Sequence, residues 1–272
     1  MKTNHALLLA ALCICLAGCK QTTGYPPVKS IALAYPNLSA YEESWNYTYD
    51  SEGRLKLVER EEVAEKEMYT SSWSYTYDAE ALKAVCEAKG WRGSRTASIV
   101  FQDDFNHMAS FTLPEETKED EYGIVFLGQN WVANYENGLL TKAVFTDFTS
   151  DGMDISMFTW SEDGLLVKYE SSDPGVFIEI KDIEYLDTPN PFAGADPVAL
   201  LMGMGSFYYQ GFAGPRPAFL VSGYTKVSSD PWVEDVSIDH ITFIYETDLD
   251  GRISHIVQMM NGVLENVAEI TY

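Results

Sequence analysis

The side chains that most often carry catalysis or bind metals are scarce in this chain of 272 residues. Three histidines follow residue 18, at His107, His240 and His255, and their spacing matches no paired metal site. Ser206 lies in the sequence GMGSF, which lacks the pattern of a hydrolase nucleophile. The loop at 248–251 begins like a calcium loop, but Val257 stands where its last carboxylate would be. The sequence predicts no catalytic residue, metal site or cofactor, although its acids leave sugar hydrolysis by a carboxylate pair open.

The residue with the clearest chemistry is Cys19. Residues 1–18 contain Lys2 and then an apolar run of roughly ten residues, which is typical of a signal peptide and too short to span a membrane as a helix. Residues 16–19 read LAGC, which resembles the lipobox of bacterial lipoproteins, where the cysteine after the cleavage site is acylated. We therefore expect a lipidated Cys19, with an ordinary secretory peptide as the alternative. Two or more acyl chains would anchor the protein to a membrane without crossing it.

Charge and cysteine content exclude several classes of protein. The chain has 18 basic and 41 acidic residues, a formal charge of −23, and loss of Lys2 with the signal peptide changes this to −24. Such a protein repels the phosphates of nucleic acid, so no nucleic-acid partner is expected. Cys86 is the one cysteine left after Cys19, which excludes an intrachain disulfide. Its apolar surroundings predict a buried, inert thiol.

An aromatic hexamer occurs twice, as WNYTYD at 45–50 and WSYTYD at 73–78. Aromatic residues occupy every second position, so in a strand they share one face while the polar residues take the other. Gly53 follows the first hexamer and can form the turn of a hairpin. Similar turns recur at 136–138, 161–164 and 248–251 with irregular spacing. The chain therefore reads as a series of irregular hairpins.

These patterns predict an all-β fold. We expect an antiparallel meander of about 14 strands between Tyr41 and Tyr272, forming a strongly curved sheet or a barrel. A short helix and loop near 192–217 interrupt it, with Asp196 as the helix cap and Pro197 at the first helical position. The acidic run at 115–121 is interpreted as a turn. The predicted organisation is a lipoprotein signal peptide at 1–18, a lipidated tether at 19–27 and a single β domain of repeated hairpins at 28–272.

The lipobox, the hairpins of the type YxYDxxGRL and the stretch EYLDTPNPF at 184–192 together resemble a known family. It is the set of Bacteroidetes outer-membrane-associated lipoproteins of unknown function with a porin-like fold, and the hairpins are also similar to YD-repeat sequences. The resemblance implies a curved or closed antiparallel sheet and a place in the cell envelope, and it supplies no catalytic residues. Surface-exported members often carry acids just after the lipidated cysteine. Here 20–24 read KQTTG, which favours the periplasmic face of the outer membrane.

The leading hypothesis for function is a noncatalytic, lipid-anchored envelope protein. Its curved sheet would bind a small ligand, a glycan or a protein partner in a cavity or at the rim near 192–217. Flat aromatic rings could stack on sugars, although packing in a core is their commoner use. The candidate ligand-binding residues are Phe207, Tyr208, Tyr209 and Phe212. The alternatives are a structural outer-membrane component, a true transmembrane barrel and, less favoured, an enzyme acting on glycans or peptides.

Overall fold

The fold is a closed barrel of 16 antiparallel strands that follow one another in chain order. The computed structural model describes residues 25–38, 41–64, 67–90, 93–120, 123–147, 152–173, 176–192, 194–230 and 235–272. The strands are β1 (Ser30–Ala34), β2 (Tyr41–Tyr49), β3 (Leu55–Ala64), β4 (Glu67–Asp78), β5 (Lys83–Gly90), β6 (Gly93–Phe101), β7 (Met108–Asp120), β8 (Gly123–Glu136), β9 (Leu139–Asp147), β10 (Gly152–Trp160), β11 (Leu166–Asp173), β12 (Val176–Pro189), β13 (Phe219–Asp230), β14 (Asp235–Thr247), β15 (Ile253–Met260) and β16 (Val263–Thr271). The predicted all-β meander is therefore confirmed, and the sheet closes.

Two details of the sequence prediction are wrong. The count of about 14 strands is too low, and the predicted series starts at Tyr41, which omits β1. This strand has five residues and two small alanines, too short a pattern to stand out, yet it pairs with both β2 and β16 and closes the barrel. The acidic run at 115–121 is not simply a turn, because β7 extends through Asp120. Pairing with the neighbouring strand β8 overrides the local preference of these polar residues for a loop.

One end of the barrel, here called the closed end, carries the turns that follow the even-numbered strands. At the turn after β2, the carboxylate of Asp50 accepts hydrogen bonds from the backbone N–H groups of Glu52 and Arg54, both at 2.9 Å. The turn after β14 repeats this arrangement with Asp248 as the acceptor. Gly53 has a φ of +79°, a conformation that other residues rarely adopt, so the recurring glycine serves backbone geometry.

Aromatic side chains at the ends of the even-numbered strands fasten the closed end. Each points inward and donates a hydrogen bond to a backbone carbonyl near the start of the preceding strand. The described pairs are Tyr49 to Val28, Tyr77 to Leu55, Tyr135 to Met108, Trp160 to Leu140, Tyr185 to Leu166, Tyr245 to Val221 and Tyr272 to Ile253. Within the described chain, β6 is the even-numbered strand that departs from the pattern, because it ends in Phe101. A buried hydroxyl that is paired in this way avoids the free energy of an unmet hydrogen bond.

The segment between β12 and β13, here called the plug, fills the barrel near the closed end. It contains two short helices, α1 (Pro197–Leu201) and α2 (Ser206–Tyr209), as the predicted insertion required. Asp196 caps α1 by accepting hydrogen bonds from the backbone N–H groups of Val198 and Ala199, as predicted. Its buried carboxylate also faces Arg216 Nε at 3.5 Å. Among the described residues, no helix is both long and apolar enough to cross a membrane.

Candidate ligand-binding cup

Beyond the plug, the lumen of the barrel opens into a cup. Inward residues of β4 show this directly, because their exposure rises with distance from the closed end. Tyr75 is 6% exposed, Trp73 and Ser71 are half-buried, and Tyr69 is 44% exposed. Alternate residues of a strand point to the same side, so the four side chains form one inward column. The column passes from packed core to a surface that solvent reaches.

Other strands show the same gradient. On β14, Ile241 is buried, Asp239 is half-buried and Ser237 is exposed. On β12, Ile180 is buried while Val176, four residues nearer the opposite end, is 42% exposed. The inward face therefore changes from apolar to mixed along each strand. The open half of the lumen is the cup, and the packed plug is its floor.

The wall of the cup at β2 to β4 is aromatic. The indole rings of Trp45 and Trp73 stack nearly parallel, with centroids 6.0 Å apart. These are the first residues of the two repeated hexamers, so the repeat brings its tryptophans together at the base of the cup. The guanidinium of Arg60 lies over the Trp45 ring, 5.3 Å from its centroid, in cation–π geometry. Tyr69 continues the aromatic surface toward the opening.

Charged groups beside this wall are paired with one another. Arg60 Nε donates to Glu43, which is 8% exposed, and Arg60 also lies 2.9 Å from the carboxylate of Glu62. Tyr35 donates its hydroxyl to Glu43 at 3.0 Å. Burial alone would lower the pKa of Arg60, but the two carboxylates raise it above its usual value. Burial first and Glu43 second raise the pKa of Tyr35, so its hydroxyl stays protonated at neutral pH and can donate to Glu43.

The wall on the other side of the cup carries a band of serines. The neighbouring inward positions on β10, β11, β12, β13 and β14 are Ser156, Ser171, Ile178, Ser228 and Ser237. All five are half-buried or exposed. β12, at the centre of this band, lies eight strands from β4 in either direction around the barrel. The cup therefore has aromatic rings at β2 to β4 that face a band of four serines and Ile178, with Lys226 and Asp239 at the next inward positions toward the plug.

The residues predicted to bind ligand belong to the plug. Tyr208, Tyr209 and Phe212 are 5%, 6% and 3% exposed, so their rings lie in the core. Tyr208 stacks on Phe158 with ring centroids 5.4 Å apart, and Tyr209 meets the edge of Trp45 at the same distance. Tyr208 and Tyr209 thus pack against opposite walls of the barrel.

Phe207 differs from the other three, because it is half-buried. Its ring contacts Phe111 and Trp131, at centroid distances of 4.9 and 5.3 Å. A role of the four plug residues in binding remains a prediction, and Phe207 has the exposed ring surface that such a role needs. Sequence reasoning missed Tyr69, Ser71 and the serine band. The alternation of inward and outward residues along these strands is visible in the sequence. The point along the barrel axis at which the plug ends is not.

Cys19 lies outside the described residues, and its lipidation remains a prediction. Cys86 is buried in the barrel wall, as expected. Burial raises the pKa of its thiol to about 12, so the reactive thiolate is absent at neutral pH. An inert thiol at this position is useful for labelling experiments.

A cluster of possible metal ligands at the closed end was not anticipated. It comprises Asp103, Asp104 and His107, in the turn between β6 and β7. The Nδ1 atom of His107 lies 2.8 Å from Asp104 and 3.1 Å from Asp103, while Nε2 lies 3.1 Å from the carbonyl of Gly138. The backbone N–H of Met108 donates to Phe212 in the plug at 2.8 Å. These contacts explain the cluster as a fastening between two turns and the plug.

A second concave surface lies on the outside of the barrel beside β1. It has a volume of about 370 Å³, and the small side chains of Ala32 and Ala34 lie along it. Glu42, Glu61 and Glu269 stand around it. The groove has no aromatic lining, and its depth comes from the short side chains of one strand. It is the weaker candidate for a ligand site.

Comparison with known proteins shows the fold. No protein-family model and no curated protein matches this sequence. A porin-like protein from Bacteroides uniformis, known from a crystal structure, is similar with a TM-score of 0.58 and 13% identity, over 90% of this chain and 98% of that chain. A porin-like protein from Bacteroides vulgatus is similar with a TM-score of 0.58 and 10% identity, over 91% of this chain and 99% of that chain. The porin-like barrel fold implied by the sequence resemblance is therefore confirmed over nearly the whole chain.

Proposed function

We propose that this protein is a lipid-anchored component of the cell envelope that binds a ligand in its cup without chemically changing it. The observation that carries the proposal is the aromatic surface on the inward face of β4, where Tyr69 is 44% exposed and Trp73 is half-buried. Large rings that remain exposed in a concavity are typical of binding sites. The packed plug separates this space from the closed end.

The predicted anchor at Cys19 supports a definite orientation of the cup. Tyr25 belongs to the closed end, because its hydroxyl donates to the carbonyl of Gly251 and its ring contacts Tyr272. Five residues lie between Cys19 and Tyr25, and the six steps from one to the other span at most about 20 Å. A lipid on Cys19 would hold the closed end near the bilayer. The cup would then open away from the membrane and receive a water-soluble ligand.

Charges on one part of the outer wall support a barrel that does not cross the membrane, whereas outward positions on other strands, such as Val132, Met157 and Ile238, are apolar and exposed. Glu59 and Glu87 lie exposed in the middle of β3 and β5. A transmembrane barrel needs an apolar outer band about 25 Å tall, and a charge near mid-height opposes insertion. The inner face near the closed end is apolar and packed instead. These features favour the lipid as the means of attachment.

The test uses adducts on opposite faces of one strand. Ser71→Cys places a thiol inside the cup, and Thr70→Cys places one on the outer face of β4, both in a Cys19→Ala background that we expect to be soluble and folded. Each thiol is modified with a bulky maleimide, and Cys86 stays unmodified because its thiol is buried. Binding of neutral oligosaccharides, oligolysine and a fatty acid is followed by tryptophan fluorescence.

At least one of these probes should bind saturably, and the adduct at position 71 should abolish binding while the adduct at position 70 leaves it unchanged. Equal effects of the two adducts, or no saturable binding of any probe, would contradict a cup that binds ligand and favour the structural alternative. Membrane insertion of the Cys19→Ala protein, shown by resistance to carbonate extraction, would contradict the lipid-anchored barrel.

A further inference from the structure

We infer that the ligand of the cup is a soluble, neutral oligosaccharide held between the aromatic wall of β4 and the serine band of β10 to β14. This inference rests on the proposed function and adds the chemical class of the ligand. Three features of the described residues carry it: the exposed rings, the paired charges and the neutral hydroxyl lining.

The rings provide the first feature. Tyr69 and Trp73 are four positions apart on one strand, which places their Cα atoms about 13 Å apart along the same inward column, with Ser71 between them. Trp73 is braced from the other side by its parallel stack with Trp45. A sugar ring presents a flat face of C–H groups, and such a face packs on an aromatic ring while its hydroxyl groups point sideways. Two separated units of one sugar chain would meet the two rings, which a single unit could not do.

The charges provide the second feature. Arg60 already bridges Glu43 and Glu62, and the hydroxyl of Tyr69 donates to Glu67. Since Arg60 carries one positive charge beside the two carboxylates of Glu43 and Glu62, this wall is acidic, which disfavours an anionic ligand. Carboxylates and a guanidinium held in fixed directions suit hydroxyl groups, which both donate and accept hydrogen bonds. A neutral polyhydroxylated ligand fits this arrangement.

The serine band provides the third feature, because it determines the length of the ligand. Ser156, Ser171, Ser228 and Ser237 present neutral hydroxyl groups across the lumen from the aromatic wall. The two walls lie on opposite sides of a barrel of 16 strands. A single sugar unit would touch one wall, whereas a chain of several units can contact both. We therefore assign an oligosaccharide in preference to a monosaccharide.

The test measures binding of short neutral oligosaccharides from cellulose, mannan, xylan, galactan and chitin to the soluble Cys19→Ala protein by calorimetry. Tyr69→Ala removes an exposed ring of the aromatic wall and should weaken binding about five- to tenfold. Met68→Ala is the matched control, because Met68 is the adjacent residue on the outer face and is 66% exposed. It should leave binding unchanged. Ser228→Ala should weaken binding of the longer chains more than that of disaccharides.

The outcomes separate this inference from the function on which it rests. Saturable binding of a neutral oligosaccharide that is sensitive to Tyr69→Ala but not to Met68→Ala supports the assignment. If oligolysine or a fatty acid binds instead, and the adduct at position 71 blocks it, the cup is a binding site but the carbohydrate assignment is wrong. If no probe binds, both the assignment and the proposed function are wrong. Unchanged far-ultraviolet circular dichroism of Tyr69→Ala shows that the fold is intact.

Discussion

The two ends of the barrel use the same strands for different purposes. At the closed end, inward aromatic side chains are buried or half-buried, and the half-buried ones donate hydrogen bonds to backbone carbonyls, as Tyr77 does to Leu55 at 2.7 Å. At the open end, the inward positions of the same strands carry hydroxyl and charged groups that solvent reaches, such as Tyr69 and Ser71 on β4. The outer face does not change in the same way on β5, where Lys83 and Val85 near the closed end and Glu87 and Lys89 toward the open end are all exposed. Stability and ligand access are thus separated along the barrel axis.

The repeated aromatic hexamer marks the boundary between the two ends. In each copy the tryptophan stands at the base of the cup, the first tyrosine lies in the core, and the second tyrosine fastens the closed end. Trp73, Tyr75 and Tyr77 show this order. One short sequence therefore supplies part of the proposed binding surface, a core residue and a hydrogen bond to the backbone. The hexamer is both a building unit and the lower part of the proposed site.

The largest effect that distinguishes the two ends should appear in alkali. Burial raises the pKa of Tyr77, Tyr135, Tyr185 and Tyr245 at the closed end above the ordinary value. A raised folded pKa contributes stability that is fully present below the unfolded value of about 10 and is lost as pH rises above it. Each such tyrosine lowers the free energy of unfolding by up to about 1.4 kcal/mol per pH unit there. We expect cooperative unfolding above pH 10, measured by circular dichroism, together with the phenolate absorbance of these residues.

Tyr77→Phe is the control for this prediction. It removes one titrating group, so the loss of stability per pH unit above 10 should be smaller by up to about 1.4 kcal/mol. At pH 7 it should lower the free energy of unfolding by about 1 kcal/mol, since the carbonyl of Leu55 loses its donor. Complete ionisation of the tyrosines while the circular dichroism stays native would show that the closed end does not bury them.

The next effect compares two rings of the plug. Phe212 is 3% exposed and packs on Tyr75 and Phe101, so Phe212→Ala should lower the free energy of unfolding by about 3–5 kcal/mol. Phe207 borders the cup and is half-buried, so Phe207→Ala should cost about 1–2 kcal/mol. Urea denaturation of both variants measures the difference. A cost for Phe207→Ala equal to that for Phe212→Ala would place both rings in the closed core and remove Phe207 from the cup.

The sequence predicts the local structure of this protein better than it predicts how far along the barrel axis each inward side chain lies. Alternation at 45–50 and 73–78 predicts inward aromatic columns, and Asp196 with Pro197 predicts the start of α1, because these signals lie within a few residues. β1 escapes prediction because its pairing with β16 joins Ser30 to Thr271, at opposite ends of the chain. Closure of a barrel is decided by such distant pairs, and no local pattern reports it.

The candidate site fails to emerge from sequence for a related reason. Tyr69 and Tyr75 are the same residue type in the same column of β4, yet one is exposed in the cup and the other is buried under Phe212. The difference depends on how far the plug enters the lumen, which is set by contacts such as the bond of Met108 N–H to Phe212. Sequence reasoning assigned binding to the plug aromatics because they were conspicuous. The fold places three of these four in the core.

The smallest of the three effects tests how tightly the plug fits the closed end, with two glycines of the same backbone conformation. Gly194 in the plug has a φ of +74° and Gly53 in a turn has +79°. A methyl group at position 53 would meet nothing within 4 Å, whereas one at position 194 would overlap the phenol ring of Tyr49. Gly53→Ala should therefore lower the free energy of unfolding by about 1 kcal/mol, from its backbone conformation alone. Gly194→Ala should cost about 3 kcal/mol, because overpacking adds to the same strain.

Tyr49 is the residue that makes this comparison specific to the closed end, since its hydroxyl donates to Val28 and accepts from the backbone N–H of Ala195. If the methyl group at position 194 acts by displacing this ring, the effect of Gly194→Ala should be smaller once Tyr49 is replaced by alanine. In that background, Gly194→Ala should lower the free energy of unfolding by only about 1 kcal/mol, as Gly53→Ala does. Urea denaturation of the two single variants and the double variant measures the coupling. Strictly additive costs would mean that Gly194 does not press on Tyr49, and that the plug lies more loosely in the closed end than its buried aromatic contacts require.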